Sequence, residues 1–139
     1  ESLRDSAKEL KVEAHVTFTG RVSDEVLLSM LNTSDLCVNP DVANEMNDLS
    51  TMNKIMEYMA LGKPMVQYDL TEGRFTAQDA SLYATRNYEV DFAEKILYLL
   101  DRPEWRKEMG DFGKRRVVSE LEWRYEAPKL LAAYERLFT

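Results

Sequence analysis

Four polar residues on one predicted helix have the types and spacing needed to bind a charged, hydroxyl-rich ligand. They are Ser50, Asn53, Lys54 and Glu57, and their intervals place them on one helix face. The amino end of a helix presents unpaired amides and a partial positive charge, which suits an anion such as a diphosphate. Lys54 would add positive charge there, and the Glu57 carboxylate, one turn deeper, would accept hydrogen bonds from sugar hydroxyls.

A plainer interpretation of the same face requires no ligand. Lys54 and Glu57 are three residues apart, so on an exposed helix they would form an ion pair worth about 0.2–0.5 kcal/mol. Polar faces of this kind are usually solvated, and the helix taken alone favours this interpretation over a binding site.

The helix that carries these residues is the most clearly marked element of the chain. Its apolar side chains recur at i, i+3, i+4 and i+7, the spacing of one helix stripe: Met52, Ile55, Met56 and Met59. Ser50 is suited to cap its first turn, and Gly62 followed by Pro64 is a stop signal. The segment is therefore predicted as loop, helix, turn and strand.

Strands and helices alternate along the rest of the chain. Strands are predicted at Val16–Phe18, Leu36–Val38, Met65–Tyr68 and Leu82–Ala84. Helical patterns lie between them, and Pro103 and Pro128 are each suited to the first position of a further helix. Gly110 and Gly113, in the first of these two helices, permit close packing. This order predicts an α/β fold with a parallel sheet and right-handed crossovers.

The composition excludes several classes of protein. The 139 residues suffice for a single domain with a core, and the net charge of −7 argues against a general nucleic-acid binder, which needs a basic face. The single Cys37 is expected to be a buried free thiol, and the single His15 excludes a multi-histidine metal site. No apolar run approaches the roughly 20 residues of a membrane helix and no signal peptide is recognised, so we expect a cytoplasmic protein.

Three segments, in this order, carry a family resemblance: Val16–Val22, Ser34–Pro40 and Lys54–Val66. Together they resemble the C-terminal, donor-binding domain of the group 1 family of retaining GT-B glycosyltransferases, and weaker similarity extends over nearly the whole chain. The resemblance implies a Rossmann-like parallel sheet flanked by helices. It also implies a nucleotide-diphosphate sugar as the substrate, no cofactor and no metal, and it shifts the balance towards donor binding.

The resemblance assigns a role to each part of the site. It implies that Gly20, Arg21 and Val22 contact the nucleotide base, although Arg21 taken alone is more simply a solvated loop arginine and Gly20 a turn glycine. It implies that the amino end of the helix faces the diphosphate, through Ser50, Thr51, Met52, Asn53 and Lys54. Glu57 would hold the ribose hydroxyls and is the candidate catalytic residue.

The sequence departs from the family's pair of glutamates separated by seven residues. Glu57 matches the second glutamate, but Leu49 stands where the first is expected. Glu45 or Asp48 would substitute if the loop is rearranged, because either carboxylate can reach a sugar hydroxyl. Each is equally well explained as an ordinary loop residue, so the residue that contacts the sugar stays open.

A larger departure concerns the start of the domain. The family domain begins with two strands that bear glycine-rich loops and basic residues, and neither strand precedes Glu1 here. In the family these strands lie between those at Val16–Phe18 and Leu36–Val38. Their absence would expose apolar surface to water, at a free-energy cost of about 25 cal/mol per Å². We therefore expect a fragment without its acceptor-binding N-terminal domain, or a chain that fills the gap with another copy or a partner.

Three functions are compatible with these patterns. The first is the donor-binding half of a glycosyltransferase, inactive alone, whose parent transfers a sugar to an acceptor hydroxyl with retention, as in polysaccharide biosynthesis. The second is a nucleotide-binding or sugar-nucleotide-binding module without chemistry, which the loss of the first glutamate favours. The third is an interaction domain of the receiver type, which lacks support because no clustered acidic pocket can be assigned. For the longer parent, a peripheral association with a membrane is an alternative to a purely cytoplasmic location.

Overall fold

The computed structural model describes residues 2–138. Close contacts divide the chain into two units, Glu1–Met30 and Leu31–Thr139. In the first unit, helix α1 (Leu3–Glu9) begins with a capping box in which the Ser2 hydroxyl accepts from the Asp5 amide and the Asp5 carboxylate accepts from the Ser2 amide. Helix α2 (Asp24–Thr33) begins after Ser23, whose hydroxyl accepts a hydrogen bond from the Val26 amide.

The strand predicted at Val16–Phe18 is not formed in the first unit. The backbone at Val16 is extended, with φ −121° and ψ 122°, but none of the described residues pairs with this segment as a strand. An extended segment becomes a strand only when a neighbouring strand shares its backbone hydrogen bonds. A side chain holds the segment instead, because Arg4 donates to the Phe18 carbonyl at 3.2 Å.

The second unit contains a parallel three-stranded sheet in the order β1 (Cys37–Asn39), β2 (Met65–Tyr68), β3 (Ser81–Ala84). Cys37 pairs with Met65, and Met65 pairs with Ser81, so each strand begins at the same edge of the sheet. Helices cover both faces, which explains why every residue of the central strand β2 is buried. The predicted class, a Rossmann-like α/β fold with helices flanking a parallel sheet, is confirmed.

The helices of this unit are, in chain order, α3 (Glu45–Asp48), α4 (Asn53–Ala60), α5 (Thr71–Ala77), α6 (Glu89–Leu100), α7 (Pro103–Arg116) and α8 (Trp123–Phe138). A short π-helical turn, Val117–Leu121, joins the last two. One face of the sheet packs on α4 through Ile55 and Met59, and the other packs on α6 through Phe92 and Leu99. Within residues 2–138, every helix is too short or too polar to span a lipid bilayer.

Helix α4 confirms the predicted stop and the predicted apolar stripe, except at Met56, which belongs to neither apolar cluster of the described residues. Ile55 and Met59 are fully buried, and Gly62 takes the left-handed conformation, φ +69°, after the last helical residue. The predicted cap was wrong, because α4 begins at Asn53 and Ser50 lies outside it. The Ser50 hydroxyl instead donates to the Met46 carbonyl at 2.5 Å, at the end of the short helix α3 that the sequence did not reveal.

The two glycines of α7 permit close packing, as predicted. A Cβ atom on Gly110 would lie 2.1 Å from the Gly62 carbonyl oxygen, and one on Gly113 would lie 3.1 Å from the Ala80 Cβ. Pro103 is the first residue of α7, as predicted. These contacts fix α7 against the turn that ends α4 and against the start of β3.

The last helix does not begin at Pro128, as the sequence suggested, but at Trp123. Two side chains anchor its first turn to the preceding π-helical turn, since Arg124 and the Tyr125 hydroxyl both donate to the Val118 carbonyl, at 2.7 and 3.1 Å. This anchorage allows the helix to start a full turn before the proline, which then lies inside it.

Candidate functional site

Loops from three parts of the second unit meet at the carboxyl ends of the parallel strands, where α/β folds bind their ligands. The first loop, residues 40–52, contains α3 and leads into α4. The second connects β2 to α5 through Asp69 and Leu70, and the third, residues 85–88, follows β3. Side chains from all three interact, so the edge of the sheet is built as one polar surface.

The amino end of α4 lies in this surface and is not capped by a side chain. Its N-cap residue is Met52, whose carbonyl accepts from the Ile55 amide at 3.0 Å, and no side chain in residues 2–138 accepts a hydrogen bond from its first turn. The amides of Asn53 and Lys54 therefore remain available to an external acceptor. Such an end attracts anions, because the helix dipole and the unpaired amides act together.

Lys54 points to the loop and not along its own helix. Its ammonium nitrogen lies 2.8 Å from Asp41 Oδ2 and 2.9 Å from Asp41 Oδ1. The ion pair with Glu57, which the plainer interpretation predicted, is not formed. Lys54 keeps 39% of its side chain exposed, so its charge contributes to the surface beside the helix end.

Glu57 lies one turn into α4 and is exposed. Within the part of the chain that the structure describes, its carboxylate makes no hydrogen bond or ion pair. Both oxygens are consequently available to accept from hydroxyl groups of a ligand. Ser50 and Thr51 precede the helix, and the Thr51 hydroxyl donates to Glu72 at 3.1 Å, which ties the loop to α5.

The two carboxylates considered for the sugar have different surroundings. Asp48 is engaged: it accepts from the Thr71 amide at 2.8 Å and the Thr71 hydroxyl at 3.0 Å, and it pairs with Arg86 at 2.8 Å. The hydrogen bond from the Thr71 amide, with help from the Thr71 hydroxyl and Arg86, lowers the pKa of Asp48 below its usual range. Asp48 thus caps the first turn of α5.

Glu45 is the less constrained of the two. It is exposed in the first turn of α3, and none of the described residues contacts its carboxylate through a hydrogen bond or ion pair. It lines an open groove of about 550 Å³ together with Asn44, Met46, Leu49 and Ser50. The hydrophobic Leu49, at the position of the expected first glutamate, is 68% exposed in this groove.

The residues predicted to contact the base lie in the first unit. Gly20 has φ +63°, in agreement with a turn glycine, Arg21 is exposed and Val22 is half-buried. Their contact with a nucleotide base remains a prediction.

Two buried amide side chains at the strand ends were not found from the sequence. Asn39 and Gln67 are neighbours in the sheet, each only 1% exposed, and their side-chain oxygens have no partner among residues 2–138. Buried acceptors normally pair with protein, ordered water or ligand donors. Their positions as the last or next-to-last residues of β1 and β2 are the signal that could have identified them.

Residues 85–88 also escaped prediction, although they supply several contacts. Arg86 reaches Asp48 and the Asp69 carbonyl, and Asn87 bonds both backbone groups of Ala43. The described residues contain no group of three or more His, Cys, Asp or Glu side chains arranged to hold a metal ion. The polar surface is therefore built from amides, carboxylates and cationic side chains.

Comparison with known proteins identifies what this arrangement is similar to. The family model for group 1 glycosyl transferases matches residues 1–102. The structure is similar to that of sucrose-phosphate synthase from Thermosynechococcus elongatus, with a TM-score of 0.80 and 22% sequence identity. The match covers 98% of this chain and 33% of that protein, so the chain spans about a third of its length. No curated protein matches the sequence significantly.

Proposed function

The chain belongs to the group 1 glycosyl transferases, and on that premise we propose that it binds the nucleotide-diphosphate sugar that donates the sugar. Glycosyl transfer in general follows from the family. The nature of the donor and the retention of configuration at the transferred sugar are our proposal. The longer protein would bring an acceptor hydroxyl to this domain through a separate acceptor-binding domain, and the chain alone would bind the donor without transferring its sugar.

One observation carries this proposal: the amino end of α4 is uncapped, and a cationic and an anionic side chain flank it in the order that a sugar nucleotide requires. The amides of Asn53 and Lys54 and the Lys54 ammonium would receive the diphosphate. Glu57, one turn deeper and exposed, would accept from the ribose hydroxyls.

The surrounding residues complete the proposed site. Ser50, Thr51 and Met52 would line the approach to the diphosphate, with the Thr51 hydroxyl already oriented by Glu72. The family resemblance supports Gly20, Arg21 and Val22 as residues that contact the nucleotide base. For the sugar we favour Glu45, because the Asp48 carboxylate is already committed to Thr71 and Arg86.

The chemical contribution of this domain would be to position the donor and to stabilise the departing diphosphate. Negative charge builds up on the diphosphate as the bond to the sugar breaks, and preorganised amides and a lysine stabilise that charge more than they stabilise the bound donor. This role requires no metal ligand and no cofactor from the chain. Glu57 would fix the donor through its ribose and so hold the reacting carbon in place.

A second candidate function is a binding module that holds a nucleotide or sugar nucleotide without catalysing transfer. Leu49 favours it, since a hydrophobic side chain stands where the family has a glutamate and cannot replace its hydrogen bonds. The two functions share the α4 site and differ only in whether the longer protein turns over a donor.

Calorimetric titration of the chain with ADP, GDP and UDP tests donor binding. We expect weak binding of at least one nucleotide, and a loss of roughly tenfold or more in Glu57→Ala, as for a hydrogen bond to a charged group. Glu94→Ala is the matched control, because Glu94 is an exposed glutamate on α6. Equal nucleotide affinity in Glu57→Ala and Glu94→Ala would show that Glu57 does not contact the nucleotide. If none of the three nucleotides bound, the proposed site would be wrong.

A further inference from the structure

We propose that Arg86 and Asn87 are positioning residues, which hold α3 over the strand ends and thereby set the part of the site that receives the donor sugar. The inference rests on the proposed function for its consequence, but its structural core concerns contacts among the described residues. Neither residue matched a motif in the sequence. They are consecutive residues that hold the two ends of a single short helix.

Asn87 anchors the start of that helix. Its side-chain oxygen accepts from the Ala43 amide at 2.7 Å, and its side-chain nitrogen donates to the Ala43 carbonyl at 3.0 Å. Both backbone groups of Ala43 are thus held by one side chain that is 44 residues away in sequence. Asn87 itself has φ +56°, a left-handed conformation that asparagine adopts more readily than most residues.

Arg86 anchors the end of the same helix. Its Nη2 lies 2.8 Å from Asp48 Oδ1, and its Nε donates to the Asp69 carbonyl at 2.7 Å. Asp48 is the last residue of α3 and also bonds Thr71, the first residue of α5. The guanidinium therefore joins the end of α3 to the segment after β2, and Asp48 extends this link to the start of α5.

Glu45 lies between these two anchored positions. Ala43 and Asp48 are fixed from the loop after β3, so the direction in which α3 presents Glu45 depends on Arg86 and Asn87. Neither anchor belongs to α4, on which the proposed diphosphate site lies. Loss of the anchors should therefore disturb the sugar end of the site and leave the diphosphate end in place.

The two anchoring residues, Arg86 and Asn87, contribute little to the apolar core. Their role in positioning α3 can therefore be tested without unfolding the chain. Arg86 keeps 51% of its side chain exposed, and neither anchor belongs to either apolar cluster of the unit. Exposed ion pairs of this kind add little to folding stability. Substitutions at these two positions should therefore yield folded protein.

Hydrogen exchange of the chain without ligand tests the anchoring. Asn87→Gly keeps the left-handed backbone accessible and removes both side-chain bonds, and Arg86→Ala removes the link to Asp48. We expect amide exchange of residues 43–48 to accelerate by about tenfold in each variant, while α6 and α7 stay unchanged. Arg115→Ala, at an exposed arginine of α7, is the control and should exchange as the native chain does. Unchanged exchange of residues 43–48 in both variants would overturn the inference.

Binding of UDP and UDP-glucose, or the corresponding pair for whichever base binds, tests the consequence. We expect Arg86→Ala and Asn87→Gly to bind the nucleoside diphosphate within about twofold of the native chain, but to lose about tenfold in affinity for the nucleotide sugar. Arg86→Lys keeps the positive charge but cannot bond Asp48 and the Asp69 carbonyl with one planar group. It should therefore recover part of the affinity for the nucleotide sugar that Arg86→Ala loses. Equal losses for both ligands, or no loss for either, would contradict the proposed role in sugar positioning. If the native chain bound no nucleotide, the proposed function would fail, and the exchange data would still decide the anchoring.

Discussion

The ammonium of Lys54 lies 2.8 Å from Asp41 Oδ2 and makes no ion pair with Glu57 on its own helix. Asp41, Lys54 and Glu57 therefore have different roles at the amino end of α4. Lys54 is held against the loop, beside the uncapped first turn, and Glu57 is left exposed. From the helix sequence alone, Lys54 and Glu57 were more simply explained as an exposed ion pair. The contact of Lys54 with Asp41 changes this interpretation.

Removal of the Asp41 charge should strengthen anion binding. In Asp41→Asn, Lys54 is no longer neutralised by its partner, so we expect the affinity for a nucleoside diphosphate to rise by about twofold to fivefold. Calorimetric titration at low and high salt measures the change, which should shrink as salt screens the charges. A lower affinity in Asp41→Asn would show that Asp41 serves to orient Lys54 and does not compete with the ligand.

The close contact between α7 and the end of α4 should make Gly110→Ala destabilising. The new Cβ would lie 2.1 Å from the Gly62 carbonyl oxygen, which belongs to the backbone and cannot rotate away. We expect the free energy of unfolding to fall by about 1–3 kcal/mol, as for other overpacked sites. Urea denaturation measures it, with Glu108→Ala, on the exposed side of α7, as the control. Equal unfolding midpoints for the two variants would mean that α7 does not pack as closely as described.

Asp48 should make the free energy of unfolding depend on pH in the acidic range. Its pKa is lowered from 3.8 in the folded chain, chiefly by the Thr71 amide, so the charged carboxylate stabilises the fold above this value. The contribution is lost as the pH falls below about 4 and the folded-state carboxylate is protonated. We therefore expect Asp48→Asn to be less stable than the native chain at pH 7, and the difference to narrow towards pH 3. Urea midpoints across this range measure it, and a difference that widens at low pH would contradict the assignment.

The elements that the sequence predicted correctly are those specified by nearby residues. The stripe of Met52, Ile55 and Met59, the left-handed Gly62 and the helix start at Pro103 each follow from local spacing or backbone preference. The central strand was equally legible because all its residues are buried.

The elements that were missed depend on contacts made far along the chain or on competing local structure. Ser50 does not cap α4, because its hydroxyl donates to the Met46 carbonyl of α3. The start of α8 was placed at Pro128 because the bonds of Arg124 and Tyr125 to Val118 have no signature in the sequence. Likewise, the contact between Asn87 and Ala43 spans 44 residues, so only the folded chain reveals this part of the candidate site.

The most direct test of the account follows the backbone amides of the labelled chain by NMR during titration with the nucleoside diphosphate that binds. If the end of α4 receives the diphosphate, the largest chemical-shift changes should occur at Asn53 and Lys54, with smaller changes at Glu57. Changes confined to other loops, with the amides of Asn53 and Lys54 unmoved at saturation, would contradict the central claim.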